Sequence, residues 1–132
     1  MNVRFVVIGR PSPAYRTIIN DYEKRLPKYC RFEVFEVKKE DEIIGKLKGT
    51  IVIMDKDGKQ MSSEGFATWL KTQENLTFVI GGDTGLSDKI KQQSNILLSF
   101  SLMTFPHQLA RLMLTEQVYR ALTILKGEKY HK

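Results

Sequence analysis

The sequence has 132 residues, of which 42% are hydrophobic and 27% are charged. This length gives room for one hydrophobic core but not for two, so we expect a single domain over residues 1–132. The composition excludes a disordered or low-complexity chain, and no run approaches the roughly 18 apolar residues that a membrane span needs. The formal charge of +6 permits a polyanionic partner but does not by itself predict one.

The cysteine and histidine content excludes two other classes. Cys30 is the only cysteine, so an intramolecular disulfide is excluded, and two histidines are too few for a structural metal cluster. The N-terminal segment MNVRFVVIGRPSP has too short an apolar run for a signal peptide. We therefore expect a cytoplasmic protein with no metal and no membrane partner, in which Cys30 is a plain, partly buried thiol rather than a nucleophile.

Apolar runs alternate with helical patterns along the chain, beginning with a strand and a helix. The β-branched and aromatic run Val3–Ile8 predicts a buried first strand, closed by a glycine and a proline. Apolar residues then recur at helical spacing over Pro13–Leu26, with Ser12 as a candidate N-cap and Pro27 as the stop.

The same alternation continues to the end of the sequence. The segment KKEDEIIGKLKG predicts at most a short helical turn, and the strand after it is expected to end at Asp55, before the turn KDGK. Nearly continuous apolar strands that alternate with helices indicate an α/β fold around a largely parallel sheet. The remaining strands are predicted at Phe32–Val37, Thr50–Asp55, Leu76–Ile80 and Ile96–Phe100, and the helices near residues 63–70, 88–93 and 107–125.

The stretch LTFVIGGDTGLSD places two adjacent glycines directly after a buried strand. Gly81 and Gly82 would let the backbone turn sharply and leave no Cβ between it and a ligand at the carboxyl end of the sheet. Alternatively, these glycines only satisfy the geometry of a turn. The spacing fits neither the dinucleotide fingerprint nor a P-loop, and Asp83 disfavours a bound phosphate. A neutral or cationic ligand therefore fits better.

A second stretch, Phe100–Phe105, contains only apolar or hydroxyl-bearing residues and leads into a helix near Pro106. Such a loop could offer backbone N–H and C=O groups to the edge of an adenine while its side chains enclose the ring. Alternatively, Met103 and Phe105 belong to the core.

Three segments carry a resemblance to a known family: FVIGGDTGLS, LSFSLMTFPHQLARLMLTEQVYRAL and the terminal GEKYHK. With them, the sequence resembles the bacterial ribosomal RNA large-subunit methyltransferases of the SPOUT class, which methylate N3 of a pseudouridine in 23S RNA. The similarity also takes in VVIGRPSPAY and IVIMDKDGKQMSSEGFA, so it spans nearly the whole chain. The combination of I-G-G-x-x-G-L, T-F-P-H-x-x-x-R and a C-terminal Y-H makes the resemblance specific.

The resemblance implies an α/β knot, a deep C-terminal trefoil whose knotted backbone binds S-adenosylmethionine. It also implies a homodimer, in which one subunit's cofactor pocket combines with residues of the other, and 23S rRNA within assembled ribosomes as the substrate. The glycine turn would then let the strand end approach a sulfonium cofactor. Carried over by motif, the cofactor contacts fall on Met54, Gly81, Phe100, Ser101, Leu102, Met103, Thr104 and Phe105.

Four side chains are candidates for the chemistry of methyl transfer. His107 and Arg111 are four residues apart at the start of the long helix, so they share one of its faces. As a hypothesis, Arg111 holds a phosphate or a uracil oxygen while His107 orients the base or relays its proton; alternatively, His107 only satisfies local backbone groups. The resemblance suggests that Tyr130 stacks on the flipped base in the partner's site and that His131 contacts the edge of that base or a phosphate.

The RNA-binding surface and the exact activity are less defined by the sequence. The segment 37–50 is shorter than the corresponding segment in the family's usual form, which carries a longer charged helix. The surface that contacts RNA is therefore expected to differ. Two other functions stay open: a paralogue in the same fold that methylates another RNA, and an RNA- or ribosome-binding module without turnover. Candidates for contact with the RNA backbone, or else plain solvated charges, are Arg10, Arg16, Lys24, Arg25 and Arg120.

Overall fold

The computed structural model describes all 132 residues, with a five-stranded sheet at its centre. No helix is both long and apolar enough to cross a membrane. The strands are β1 (Asn2–Ile8), β2 (Arg31–Val37), β3 (Thr50–Gln60), β4 (Asn75–Ile80) and β5 (Ile96–Ser99). The helices are α1 (Pro13–Glu23), α2 (Ser63–Lys71), α3 (Asp88–Lys91) and α4 (His107–Leu125), and short 3-10 turns occur at Leu26–Lys28, Glu40–Glu42 and Ile44–Lys46.

The strands lie in the order β2-β1-β4-β3-β5, and every pairing between them is parallel. The predicted α/β fold with a mainly parallel sheet is therefore confirmed, whereas the knot stays a prediction. Because the strands are parallel, all five end at the same edge of the sheet, where α/β proteins bind their ligands. Leu76–Ile80 in the central strand β4 are all buried, as expected for a strand that is covered on both faces.

The two faces of the sheet are covered differently. On one face α1, α2 and α4 pack over the larger part of the core, where Phe5, Phe78 and Leu114 are fully buried. On the other face a smaller cluster around Val6 is covered by α3 and by the connection between β2 and β3, in which Ile43 is buried between the two 3-10 turns. This connection contains only short 3-10 turns, in keeping with the short helical turn predicted for KKEDEIIGKLKG.

The third strand is longer than predicted. It does not end at Asp55 but continues through a bulge to Gln60. The bulge shifts the register against β5, so that Met54 and Lys59 both pair with Leu98. The residues KDGK have the composition of a turn, but they form this bulge because β5 pairs with the strand on both sides of it. That pairing is a long-range contact, which local composition does not reveal.

The first helix is shorter than predicted, because it ends at Glu23 rather than at Leu26. Pro27 disfavours helical geometry at the residue before it, and the chain passes instead into a 3-10 turn that buries Leu26. Cys30 follows this turn and is partly buried, and burial raises the pKa of its thiol to about 11, as expected for an unreactive thiol. The other predicted elements agree with the structure to within two residues at each end.

Candidate functional site

A cavity of about 660 Å³ lies at the carboxyl ends of β3, β4 and β5. This volume is within the range of pockets that hold small-molecule ligands. The wall includes every residue predicted to contact the cofactor except Leu102, which is 75% exposed. The predicted residues in the wall are Met54, Gly81, Phe100, Ser101, Met103, Thr104 and Phe105.

The glycine turn after β4 forms one side of the cavity. A Cβ atom at Gly81 would lie 2.8 Å from Cγ of Leu86, so a larger residue there would displace the turn. Gly85 has a φ of +74°, and its N–H donates a hydrogen bond of 3.0 Å to the carbonyl oxygen of Gly82. The chain itself therefore requires glycine at both positions. This supports the turn-geometry alternative, although the turn also faces the cavity.

The loop after β5 is held in place by hydroxyl groups. The Ser99 hydroxyl lies 2.9 Å from the carbonyl oxygen of Lys56 and 2.8 Å from that of Ser101, so it links the loop to the bulge in β3. The Ser101 hydroxyl accepts a hydrogen bond of 3.1 Å from the N–H of Met103. Sequence analysis missed Ser99; a buried hydroxyl at the end of an apolar strand is the signal that could have indicated it.

The polar side of the cavity carries the acidic side chains Asp55, Asp57 and Asp83 and the basic side chains Lys56 and Lys91. Asp55 forms an ion pair of 2.8 Å with Lys91. Burial alone would raise the pKa of Asp55, but hydrogen bonds from Lys91 and from the N–H of Asp57 lower it. The carboxylate is therefore held ionised with Lys91 as its partner, and the three carboxylates of the wall outnumber its two ammonium groups, which favours a cationic ligand.

These properties fit S-adenosylmethionine. The aromatic rings of Phe100 and Phe105 and the thioether of Met103 offer an apolar surface to an adenine. The carboxylates of Asp55 and Asp83 offer negative charge to a sulfonium and an ammonium group. Five side chains of the wall thus match the two chemically different halves of this molecule.

His107 borders the cavity at the start of α4. Its Nδ1 atom lies 2.7 Å from Oδ1 of Asp83 in the glycine turn, and its side chain is 23% exposed. His107 also lines a small cleft beside Gly9 and Arg10. The imidazole therefore binds a carboxylate rather than local backbone groups. Sequence analysis placed His107 at the cofactor loop but did not identify Asp83 as its partner.

Arg111 lies one turn further along α4, with a side chain that is 4% exposed. Its guanidinium forms ion pairs with Glu23 of α1 at 3.0 Å and with Glu36 of β2 at 2.5 Å. Glu36 also pairs with Arg16 of α1, at 2.9 Å. Because two carboxylates occupy this buried guanidinium, the geometry does not support the predicted contact of Arg111 with a phosphate or a uracil oxygen. It indicates that Arg111 joins α4 to β2 and α1.

The pKa values of the two glutamates shift in opposite directions. Burial alone would raise the pKa of Glu36, but hydrogen bonds from Arg16 and Arg111 lower it. Burial raises the pKa of Glu23, although the charge of Arg111 opposes that shift. Glu36 is therefore the better stabilised of the two carboxylates.

Tyr130 and His131 lie along the second half of α4, away from the cavity of their own subunit. The Tyr130 hydroxyl donates a hydrogen bond of 3.1 Å to Glu116, and His131 lies 2.7 Å from Glu64 of α2. Glu116 is nine residues beyond His107, which is roughly 14 Å along a helix. Within one subunit, the predicted catalytic residues therefore form two separate groups.

An apolar groove of about 550 Å³ runs between α1, α2 and α4. It shares Ser99 and Phe100 with the wall of the cavity, so the groove and the cavity adjoin. Its lining also includes Tyr22 and Glu116, the two side chains that contact the hydroxyl of Tyr130. The C-terminal residues thus lie at the rim of this groove.

Most of the basic residues predicted to contact RNA have acidic partners within the chain. Arg10 is the exception: it is exposed and forms no ion pair. It lines the small cleft together with His107. The paired residues are Arg16 with Glu36, Lys24 and Arg25 with Asp21, and Arg120 with Glu116.

Solved structures with the same fold include proteins described as a methylase and a methyltransferase. A probable methylase family protein from Haemophilus influenzae has a TM-score of 0.66 and 11% identity, over 98% of this chain and 70% of that one. The SpoU methyltransferase AviRb from Streptomyces viridochromogenes, solved in complex with AdoMet, has a TM-score of 0.58 and 14% identity, over 96% of this chain and 61% of that one. At these identities the similarity shows the fold alone.

Sequence comparisons are more specific. This chain is 37% identical to ribosomal RNA large subunit methyltransferase H of Clostridium beijerinckii and 38% identical to that of Enterococcus faecalis, over alignments of 159 positions that cover 100% of each chain. Because this chain has 132 residues, 27 of those positions have no counterpart in it. The family model described as predicted SPOUT methyltransferase matches residues 1–131. Since that match takes in nearly every residue and agrees with the parallel sheet and its edge cavity, this chain belongs to the SPOUT methyltransferase family.

Proposed function

We propose that this chain transfers a methyl group from S-adenosylmethionine to N3 of a pseudouridine in 23S rRNA, on assembled ribosomes in the cytoplasm. Full-length similarity to relatives named ribosomal RNA large subunit methyltransferase H supports the reaction and the class of RNA. The structural observation that carries the proposal is the cavity at the sheet edge, which combines an aromatic loop with ionised carboxylates.

The cofactor would be held by Met54, by the Gly81 turn and by the loop Phe100–Phe105. When bound, S-adenosylmethionine supplies an electrophilic methyl group on a positively charged sulfur. In our proposal the side chains of the loop enclose the adenine, the backbone of the loop binds the adenine edge, and the excess of carboxylates in the wall balances the positive charge. Leu102, which lies outside the wall, would contact the RNA or a partner subunit instead.

The active unit would be a homodimer that forms through the apolar groove. Monomeric proteins rarely leave a large apolar surface uncovered, and this groove contains Ile18, which is 49% exposed, and the half-buried Leu112 and Met113. A second copy seated there would lie directly beside the cavity, because the two share Ser99 and Phe100. A composite active site would follow from this arrangement.

In such a dimer the C-terminal residues would act on the partner's substrate. Tyr130 and His131 do not line the cavity of their own subunit but lie at the rim of the groove, where the partner would dock. Tyr130 would stack on the displaced base, and His131 would contact the edge of that base or a phosphate.

The reaction is tested by incubating the protein with radiolabelled S-adenosylmethionine and large ribosomal subunits from a strain that lacks the gene. We expect one methyl group per subunit, mapped by mass spectrometry of nucleosides to N3 of a pseudouridine. A methyl group on a different nucleotide would indicate the paralogue alternative. Absence of turnover, with no heat of cofactor binding in calorimetry, would indicate an RNA- or ribosome-binding module.

The cofactor site is tested by a matched pair of variants. Met54→Lys places a positive charge in the wall, which should repel the sulfonium and weaken cofactor binding at least about tenfold. Leu102→Lys adds the same charge to the loop after β5, outside the wall, and the affinity should stay within about twofold of wild type. Equal affinities of the two variants in calorimetry would contradict the proposed site.

A further inference from the structure

Asp83 and His107 form a pair that connects the glycine turn to the start of α4. The two atoms in contact are Oδ1 of Asp83 and Nδ1 of His107, at 2.7 Å, and neither side chain has another hydrogen-bond partner. Both residues line the cavity. The Asp83 side chain is 82% exposed, yet its carboxylate contacts Nδ1 of His107 rather than solvent alone.

The chemistry of the two groups determines where the proton lies. An ionised carboxylate can only accept hydrogen bonds, so the contact requires that Nδ1 of His107 carries the proton. In the neutral imidazole, Nε2 is then an acceptor with a free lone pair. Without Asp83, nothing in the structure would hold the proton on Nδ1 rather than on Nε2.

Nε2 of His107 faces Gly9, in the small cleft that meets the cavity at Ile80 and His107. A Cβ atom at Gly9 would lie 3.7 Å from Nε2 of His107. No atom of the chain forms a hydrogen bond with Nε2. The charged groups in the adjoining cleft are Arg10, which is exposed, and Arg111, whose charge is compensated by two glutamates. A substrate base at the boundary between the cavity and this cleft would therefore find Nε2 as a hydrogen-bond acceptor.

We propose that Asp83 is a positioning residue that fixes the tautomer of His107, so that Nε2 accepts the proton of the nitrogen to be methylated. This inference rests on the proposed function, because an imide-like ring nitrogen must lose its proton during methylation. The N–H bond of the base breaks as its proton passes to Nε2, and the electron pair left on that nitrogen forms the new bond to the methyl carbon. The pair of the broken carbon–sulfur bond stays on sulfur as a neutral thioether, and the imidazolium later releases its proton to water.

The tautomer is tested without any turnover. The chain contains only two histidines, so ring nitrogen signals of ¹⁵N-labelled protein can be assigned with a His131→Asn variant. At a pH where the ring is neutral, we expect His107 to carry its proton on Nδ1 in the wild type, and to populate both tautomers in Asp83→Ala. A wild-type His107 with its proton on Nε2 would overturn the proposal.

The role in catalysis is tested by kinetics at saturating cofactor. Asp83→Ala should lower kcat about 10- to 100-fold, within the contribution of a general base, with the KM for ribosomal subunits within about twofold of wild type. Asp83→Glu, which keeps the acceptor, should recover part of the loss. Thr84→Ala changes the neighbouring exposed residue, which makes no side-chain hydrogen bond, and should retain wild-type kcat.

The outcomes separate this inference from the proposed function. Wild-type turnover in Asp83→Ala would overturn the role of Asp83 alone. A loss that appears only in KM would also overturn it, since a tautomer acts on the chemical step. A wild-type protein without methyl transfer would overturn the proposed function, and the inference would fall with it.

Discussion

At the scale of single residues, a buried group of four charged side chains joins β2 to α1 and α4. Arg111 lies between Glu23 and Glu36, whose side chains are 13% and 19% exposed, and Arg16 supports Glu36 from α1. A buried ion pair gains little net stability over apolar packing, because desolvation offsets the attraction, but breaking it leaves unpaired charges. The group therefore orients the start of α4, the helix that carries His107.

Arg111→Ala should lower the free energy of unfolding by about 3–5 kcal/mol, because it leaves the largely buried Glu23 without a partner and Glu36 with Arg16 alone. Denaturant unfolding followed by circular dichroism measures this change. Lys24→Ala removes the same charge from an exposed pair with Asp21 and should cost less than about 1 kcal/mol. Similar losses in the two variants would contradict the structural role of Arg111.

Arg10 is the one residue of the predicted RNA-binding set that is free to bind a phosphate. Arg10→Ala should raise the KM for ribosomal subunits several-fold, leave kcat nearly unchanged, and reduce the salt dependence of RNA binding by about one counterion. Lys24→Ala again serves as the control, since its charge is already paired. An Arg10→Ala protein with the KM and salt dependence of the control would show that this side chain is only solvated.

At the scale of the elements, the bulge in β3 decides where the cofactor loop begins. It brings the carbonyl of Lys56 to the hydroxyl of Ser99, from which the loop departs. This arrangement requires a residue without a side chain at Gly58, because a Cβ atom there would lie only 2.5 Å from the carbonyl carbon of Leu97. Since the obstructing atoms are backbone, β3 and β5 would have to separate to accommodate any side chain.

Gly58→Ala should therefore cost about 1–3 kcal/mol of unfolding free energy, as for other overpacked positions, and should weaken cofactor binding. Unfolding curves and calorimetry with S-adenosylmethionine measure the two effects. Gly45→Ala is the matched control, because a Cβ at Gly45 would meet no atom within 4 Å. Stability and affinity equal to those of the control would mean that the bulge does not shape the cavity.

At the scale of the whole molecule, the separation between the cavity and the C-terminal residues is the argument for a composite site. Deleting residues 130–132 should abolish methyl transfer and leave cofactor affinity within a few-fold, since these residues do not line the cavity. Unchanged turnover of the truncated protein would contradict the role of Tyr130 and His131.

Mixed dimers test whether these residues act across the subunit boundary. One subunit lacks residues 130–132, and the other carries Met54→Lys, so that neither homodimer has a complete site. Dimers that contain one subunit of each kind, purified through two different tags, should recover about half of the wild-type activity, because one of their two sites is intact. Inactive mixed dimers would show that the C-terminal residues act within their own subunit.

The sequence by itself determined the family, the order of the elements and seven of the residues in the cavity wall. These features are local: apolar periodicity predicts strands and helices, and glycine, proline and hydroxyl residues at strand ends predict turns and loops. Motif positions such as Met54 and Phe105 could be named without a structure, because the resemblance to the family carries them over by motif, and parallel strands bring their carboxyl ends to one edge of the sheet.

Only the tertiary structure decided which side chains bind one another. The pair Asp83–His107 joins residues 24 positions apart, and Arg111 binds glutamates 75 and 88 positions away. The extension of β3 likewise depends on β5, which follows much later in the chain. Local patterns carry no information on such contacts, because the attraction between charges and the pairing of strands act through space rather than along the chain.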